Sequence, residues 1–198
     1  MAKAAAGTLE QNRSLGHSGE WAKQAAIIVS ASLFVALCAR VSVPLPFTPV
    51  PLTLQNFAVI LVGLLLGSRR GFAALALYLA EGAAGLPVFS PSALGLHGIG
   101  QILGPTGGYL MAYPVVAALA GWICERGTWS FVRAAVAGLF ADVLLFVGGV
   151  GWLALYFHST STAIKYGLYW FILAEVIKVL MAAGIAERWN RRLSKKRV

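Results

Sequence analysis

Apolar residues run along this chain in blocks about as long as a bilayer is thick, separated by short polar or proline- and glycine-rich stretches. Blocks of that length read as membrane-spanning helices. The pattern predicts six of them, over residues 21–42, 54–67, 71–85, 108–125, 131–157 and 166–189. The second and third are short against the roughly 20 residues that a full crossing takes. Residues 43–53 carry Pro44, Pro46, Pro49 and Pro51, which forbid a regular helix. Residues 86–107 are glycine-rich and equally irregular. The predicted fold class is therefore all-α: a six-helix integral membrane bundle over residues 21–190, with two irregular loops. Residues 1–20 read as a mobile polar tail and residues 191–198 as a basic one. The first apolar block comes late and is long, which argues against a cleaved signal peptide.

Composition strengthens the membrane reading. Hydrophobic residues make up 59% of the chain and charged residues 12%, where a soluble domain carries about 25% charged residues. The formal charge of +9 is concentrated between and beyond the spans. Arg69 and Arg70 join spans two and three, and Arg126 and Arg133 join spans four and five. Lys3, Arg13 and Lys23 precede span one, and six basic residues from Arg188 to Arg197 follow span six. With six crossings all four groups fall on one side, so both termini are predicted to be cytoplasmic. The charge is accounted for by topology and by anionic headgroups; no nucleic-acid-binding motif accompanies it. The two irregular loops then share the outer side. Apolar, irregular backbone at membrane depth is tolerated where it is buried in protein or lines a cavity. The loops are therefore expected to form a lid over a pocket open to the outside, the alternative being ordinary surface loops.

The chemistry is concentrated in a few places. Lys178 sits inside the sixth apolar block, where a lysine costs at least about 2.5–3.5 kcal/mol. Glu175 lies three residues earlier, on the same helical face. Residues 104–110, GPTGGYL, form a tight turn opening the fourth span. There Gly107 and Gly108 would allow positive φ and close backbone approach. Free N–H groups at that helix start could receive a carboxylate, or the motif could be only a turn. Cys38 and Cys124 show no metal or disulfide spacing and read as packing residues. No metal ligands, phosphate-binding G-x-x-x-x-G-K-[ST] motif or protease nucleophile is apparent, which argues against an enzyme.

Three stretches in order carry a family resemblance: VPLPFTPVPLTLQNFAVILVGLLLGSRRG at residues 43–71, YLAEGAAGLPVF at 78–89, and GPTGGYL at 104–110. In this combination the chain, over roughly residues 30–190, resembles BioY, the biotin-specific substrate-capture subunit of energy-coupling factor (ECF) vitamin transporters. The resemblance implies a six-helix bundle in the bacterial cytoplasmic membrane, with its vitamin pocket under the outer loops. It implies no cofactor, with biotin as the ligand, and as partners one coupling membrane subunit and two ATP-binding subunits. The family's Asp-x-x-Lys signature, whose side chains contact the vitamin's polar head, matches Glu175-Val-Ile-Lys178, with the acid one methylene longer. A carboxylate can accept from the two ureido N–H groups and an ammonium can donate to the ureido carbonyl; the alternative is a structural ion pair.

Further candidates fall near the same place. Asp142, inside span five, is a structural partner or a pocket residue. Gln55 and Asn56 donate to ligand or, more simply, order the loop. Tyr109, Phe89 and Trp152 are candidate walls for an apolar chain, though aromatics also anchor helices at the membrane interface. Small residues at Ala26, Ser32 and Ala36 match the stripe by which the family's first helix docks on the coupling subunit. Gly63 and Gly67 permit close helix approach, within the bundle or with a partner. Competing readings are a stand-alone biotin facilitator and a capture subunit for a different vitamin.

Overall fold

The computed structural model describes residues 2–92 and 94–195, with side chains from residue 19 onward. In order, α1 is Ala2–Arg40 and α2 Gln55–Ala83. The short α3 is Ile99–Leu103, α4 Gly107–Glu125 and α5 Phe131–Phe157. The short α6 at Thr160–Ile164 leads through a π-helical turn, Lys165–Tyr169, into α7 at Ile172–Lys195. One small antiparallel pair interrupts the all-helical pattern: β1, Ser42–Val43, pairs with β2, Leu52–Thr53, and pinches the base of the proline-rich loop. Residues 2–18 of the expected N-terminal tail form the start of α1, with side chains outside the described residues; residues 196–198 of the basic C-terminal tail also lie outside the described residues.

Among the described residues four helices are long and apolar enough to cross a membrane, or up to five if the bent α6–α7 pair is one span. The second and third predicted spans are two limbs of α2, folded back on each other at Gly67. That residue alone in α2 leaves the helical region, with φ 81° and ψ 178°. In a straight helix Gln55 and Tyr78 would be about 34 Å apart; here the Gln55 amide donates to the Tyr78 hydroxyl at 2.9 Å. Near the fold-back a Cβ on Gly71 would lie 3.2 Å from Gly63 Cα. The limbs are short because they are the arms of a hairpin. Glu125, from the end of α4, accepts from the Ser68 amide at 2.9 Å and its hydroxyl at 2.7 Å, so it caps the second limb.

The packing is small inside and large outside. Ala58, Ala74, Ala117, Ala120, Ala134, Ala137, Ala141, Ala182, Ala183 and Ala186 are all buried. Leu37, Phe140, Val143, Val147, Leu155 and Leu173 point outward and are more than half exposed. Lipid gives no hydrophobic reward for burying large side chains, so helices associate by close backbone approach. Gly63 and Gly121 supply it: a Cβ on Gly63 would overlap the Ala117 backbone, and one on Gly121 would overlap Gly67 and Ser68. The glycine pair in the second span therefore packs within the bundle, between α2 and α4.

The predicted sixth span is interrupted. α6 and α7 meet at 44° across residues 170–171, after the π-helical turn. This break sets Glu175 in the first turn of α7, where the helix dipole favours an anion.

Gly67→Val should destabilise the hairpin. It imposes a branched side chain at positive φ, a cost of about 1–3 kcal/mol, and its Cβ would overlap the Glu125 carboxylate that caps the second limb. Thermal unfolding in detergent should show a lowered midpoint; an unchanged midpoint would mean that the turn adapts.

Candidate functional site

Two loops close over one end of the bundle, each held by side chains that donate to its backbone or to its neighbour. In the proline-rich loop, Thr48 donates its hydroxyl to Tyr166 O at 2.8 Å and accepts from Val50 N at 3.2 Å, tying the loop to the π-helical turn. In the second loop three nearby carbonyls are taken. Arg40, at the end of α1, donates to Pro87 O. Tyr78 donates to Val88 O at 3.0 Å, and Gln101 of α3 donates to Ser90 O at 2.8 Å. The Gln55 amide donates to the Tyr78 hydroxyl from below at 2.9 Å.

Beneath the loops lies a small cavity lined by both loops and by four helices. Val50, Pro51, Thr53 and Ser90 line it from the loops and strands. Gln55 and Asn56 come from α2, Thr106, Tyr109, Leu110 and Tyr113 from the start of α4, and Phe146 from α5. Gly167 and Phe171 lie at the π-helical turn and the break, and Glu175 closes the base. Apolar walls with a few convergent polar groups are what a small ligand with one polar head requires.

The polar base is a short chain of hydrogen bonds. Lys178 Nζ donates to Glu175 Oε1 at 2.6 Å. The Asn56 amide donates to the same oxygen at 3.1 Å, and the Tyr113 hydroxyl donates to Asn56 Oδ1 at 2.8 Å. Asn56 is thus oriented, with its amide toward the carboxylate. Glu175 is 1% exposed and Lys178 7%. The second carboxylate oxygen, Glu175 Oε2, is buried without a hydrogen-bond partner among the described residues. It is an acceptor at a cavity wall.

Of the residues singled out from sequence, Glu175, Asn56, Gln55 and Tyr109 line this cavity. Lys178 stands behind Glu175 as its ion-pair partner. Tyr109 donates its hydroxyl to Gly167 O at 2.6 Å, and its ring lies where a Cβ on Gly149 would be. Phe89 packs edge-on against Tyr78, centroids 5.4 Å apart, over Gly82. Trp152 donates to Gly104 O at 2.8 Å, bracing the turn before α4 from outside the cavity lining. Asp142 is buried in α5, also off the lining.

Of the two reasons expected for Gly107 and Gly108, close backbone approach holds and positive φ does not. Gly107 and Gly108 are the first residues of α4 and do not take positive φ; Gly67, Gly85, Gly95 and Gly98 do. What Gly107 and Gly108 provide is room: a Cβ on Gly107 would overlap Ile102 O, and one on Gly108 would overlap Trp152 and Gly148 O. On α1, Ala26 is exposed and Ala36 half-buried, whereas Ser32 turns inward and donates to Glu81. Tyr113 and Phe171 were missed from sequence. Each lies four residues from a singled-out residue, Tyr109 and Glu175, and helical spacing puts such pairs on one face.

Tyr78→Phe should loosen the second loop. The change removes the relay between Gln55 and Val88 O and leaves both without that partner, a cost of about 1–3 kcal/mol. Hydrogen exchange over residues 86–90 should accelerate while the helices keep their protection; unchanged loop exchange would show that Arg40 and Gln101 suffice.

The chain matches the family model of the BioY family over residues 8–195. It is 40% identical over 160 residues to a probable biotin transporter BioY of Pyrococcus horikoshii, covering 79% of this chain and 91% of that one. It is 38% identical over 171 residues to the biotin transporter BioY of Thermotoga maritima, covering 83% and 95%. In structure it resembles the S-component for biotin from an ECF-type ABC transporter, solved at 2.1 Å, with a TM-score of 0.78 and 25% identity over 87% of this chain and 93% of that chain. With a family model spanning nearly its whole length and such relatives covered almost end to end, the chain belongs to the BioY family.

Proposed function

We propose that this protein captures biotin from the outer side of the cytoplasmic membrane, as the substrate-binding subunit of an ECF-type transporter. The observation that carries the reading is the buried Glu175–Lys178 pair, with a spare carboxylate oxygen, at the base of a cavity roofed by two pinned loops. A ureido ring has two N–H donors and one carbonyl acceptor. Glu175 Oε2 accepts from one N–H, and the Lys178 ammonium, which has three donors, can turn one toward the ring carbonyl. Leu110, Phe146 and Phe171 then surround the sulfur-containing ring and the first methylenes of the acid chain. The chain's carboxylate stays toward the open mouth, near Thr53 and Ser90.

The topology that fits this role has six crossings, counting the limbs of α2 separately and α6 with α7 as one. The helix ends near Gly67, Glu125 and Phe131 then share one side with both termini. That side carries Arg69, Arg70, Arg126, Arg133, Arg188 and Arg191, so it is cytoplasmic by the positive-inside rule. The loops and the cavity face outward.

Release of biotin inside needs energy that this chain has no phosphate-binding motif to harvest. It comes from partner subunits: two ATP-binding proteins and a coupling membrane subunit. An apolar groove between Ala26, Ile27, Ala31 and Phe34 of α1, Leu61 and Leu65 of α2, and Trp189 of α7 is the face offered to that coupling subunit.

Calorimetry on the purified protein tests the reading. Biotin should bind tightly and a carboxylic acid of similar length without the ureido ring should be silent. Lys178→Ala should weaken biotin binding by about 2–5 kcal/mol, the cost of stripping one partner from a buried charge pair, with the folded fraction checked by size exclusion. Equal binding of both acids, or wild-type affinity in a folded Lys178→Ala protein, would overturn it.

A further inference from the structure

α5 and α7 run antiparallel and in close contact: a Cβ on Gly138 would lie 2.8 Å from Val179 Cγ1. One turn onward along α5 and one turn back along α7, this register sets Asp142 beside Glu175. Three ionisable side chains therefore share one small volume in the membrane interior. Asp142 is 6% exposed, and Glu175 and Lys178 are as buried.

The charges do not balance. Lys178 is committed to Glu175 Oε1. Asp142 Oδ1 and Glu175 Oε2 are both buried without hydrogen-bond partners among the described residues. Among the described residues, the groups that face them from neighbouring elements bring no second positive charge. Tyr109 of α4 interacts electrostatically with both acids, but its hydroxyl donates to Gly167 O. Tyr113 donates to Asn56. α2 contributes Asn56, whose amide is spent on Glu175 Oε1, and Ile60. Two carboxylates thus face one ammonium. A second ionised carboxylate without a partner costs several kcal/mol in low dielectric. A bound proton removes that cost and converts an acceptor into an O–H donor.

We propose that Asp142 and Glu175 form a proton-holding site: one exchangeable proton resides on Asp142 while Glu175 stays ionised against Lys178, and the pocket captures biotin in this protonated form. The site extends the proposed function and rests on it only for the link to biotin. Losing the proton to solvent leaves Asp142 ionised. That second negative charge competes with Glu175 for the ammonium and draws it off the ureido carbonyl. Asp142 is a positioning residue here, acting through Lys178. Its proton is present below the titration point and lost above it, so affinity falls as pH rises through that point, by at most about tenfold per pH unit for one linked proton.

Asp142 is the single aspartate in the sequence, so aspartate labelled with a heavy isotope at its side-chain carboxyl carbon reports on it alone, with no substitution needed. Infrared spectroscopy of the ligand-free labelled protein should show a protonated carboxyl stretch at neutral pH, shifted by the label and by heavy water, and lost at high pH. A labelled band of carboxylate form at neutral pH overturns the proposal, whether or not biotin binds. In calorimetry, biotin affinity of the wild type should fall above the pH at which that band is lost, and Asp142→Asn, a neutral side chain of the same shape, should give a flat profile. Parallel pH profiles for the two proteins overturn the link to capture while leaving the proton site standing. A protein with the protonated band but no affinity for biotin at any pH would instead refute the biotin reading.

Discussion

A lysine ammonium and a glutamate carboxylate held 2.6 Å apart and buried in the helix bundle form the interaction on which the rest of this site depends. Neither charge is tolerable there alone, and the pair is tolerable only with further hydrogen bonds. The fold supplies them. The break at residues 170–171 starts α7 just before Glu175, so the carboxylate sits where the helix dipole favours it. Asn56 reaches across from α2, itself held by Tyr113 of α4. Three helices are thus tied to one carboxylate oxygen, and the other is left facing the cavity.

The surrounding bundle is arranged to let those helices come close. Alanines and glycines fill the interior, and leucine, valine and phenylalanine coat the outside. In water this would be an inverted protein. In lipid it is the economical arrangement, because close contact between backbones replaces the hydrophobic effect as the source of association. The hairpin at Gly67 belongs to the same logic. A positive φ reverses the chain, Gly121 gives it room, and Glu125 caps the limb that follows.

The loops are irregular without being loose. Thr48, Arg40, Tyr78 and Gln101 each take a backbone carbonyl of a loop or its support. Carbonyls shielded from water need partners. Satisfying them from the bundle below gives the cavity a roof whose position is coupled to the helices that carry the polar base.

Sequence alone determined a good deal: the helical class, the two irregular loops, the shortness of the second and third apolar blocks, and the pairing of Glu175 with Lys178. These are local properties, set by hydropathy, proline and helical spacing. The positive φ assigned to Gly107 and Gly108 was misplaced because a glycine needed for room looks the same in sequence as one needed for backbone freedom; only the Ile102 carbonyl and the Trp152 ring distinguish them. The inward turn of Ser32 toward Glu81, the place of Tyr113 behind Asn56, and the close contact of α5 with α7 at Gly138 and Val179 were equally hidden. Each depends on which faces of separate helices meet. That is decided by the packing of small residues across the whole bundle, and no local window of sequence contains it.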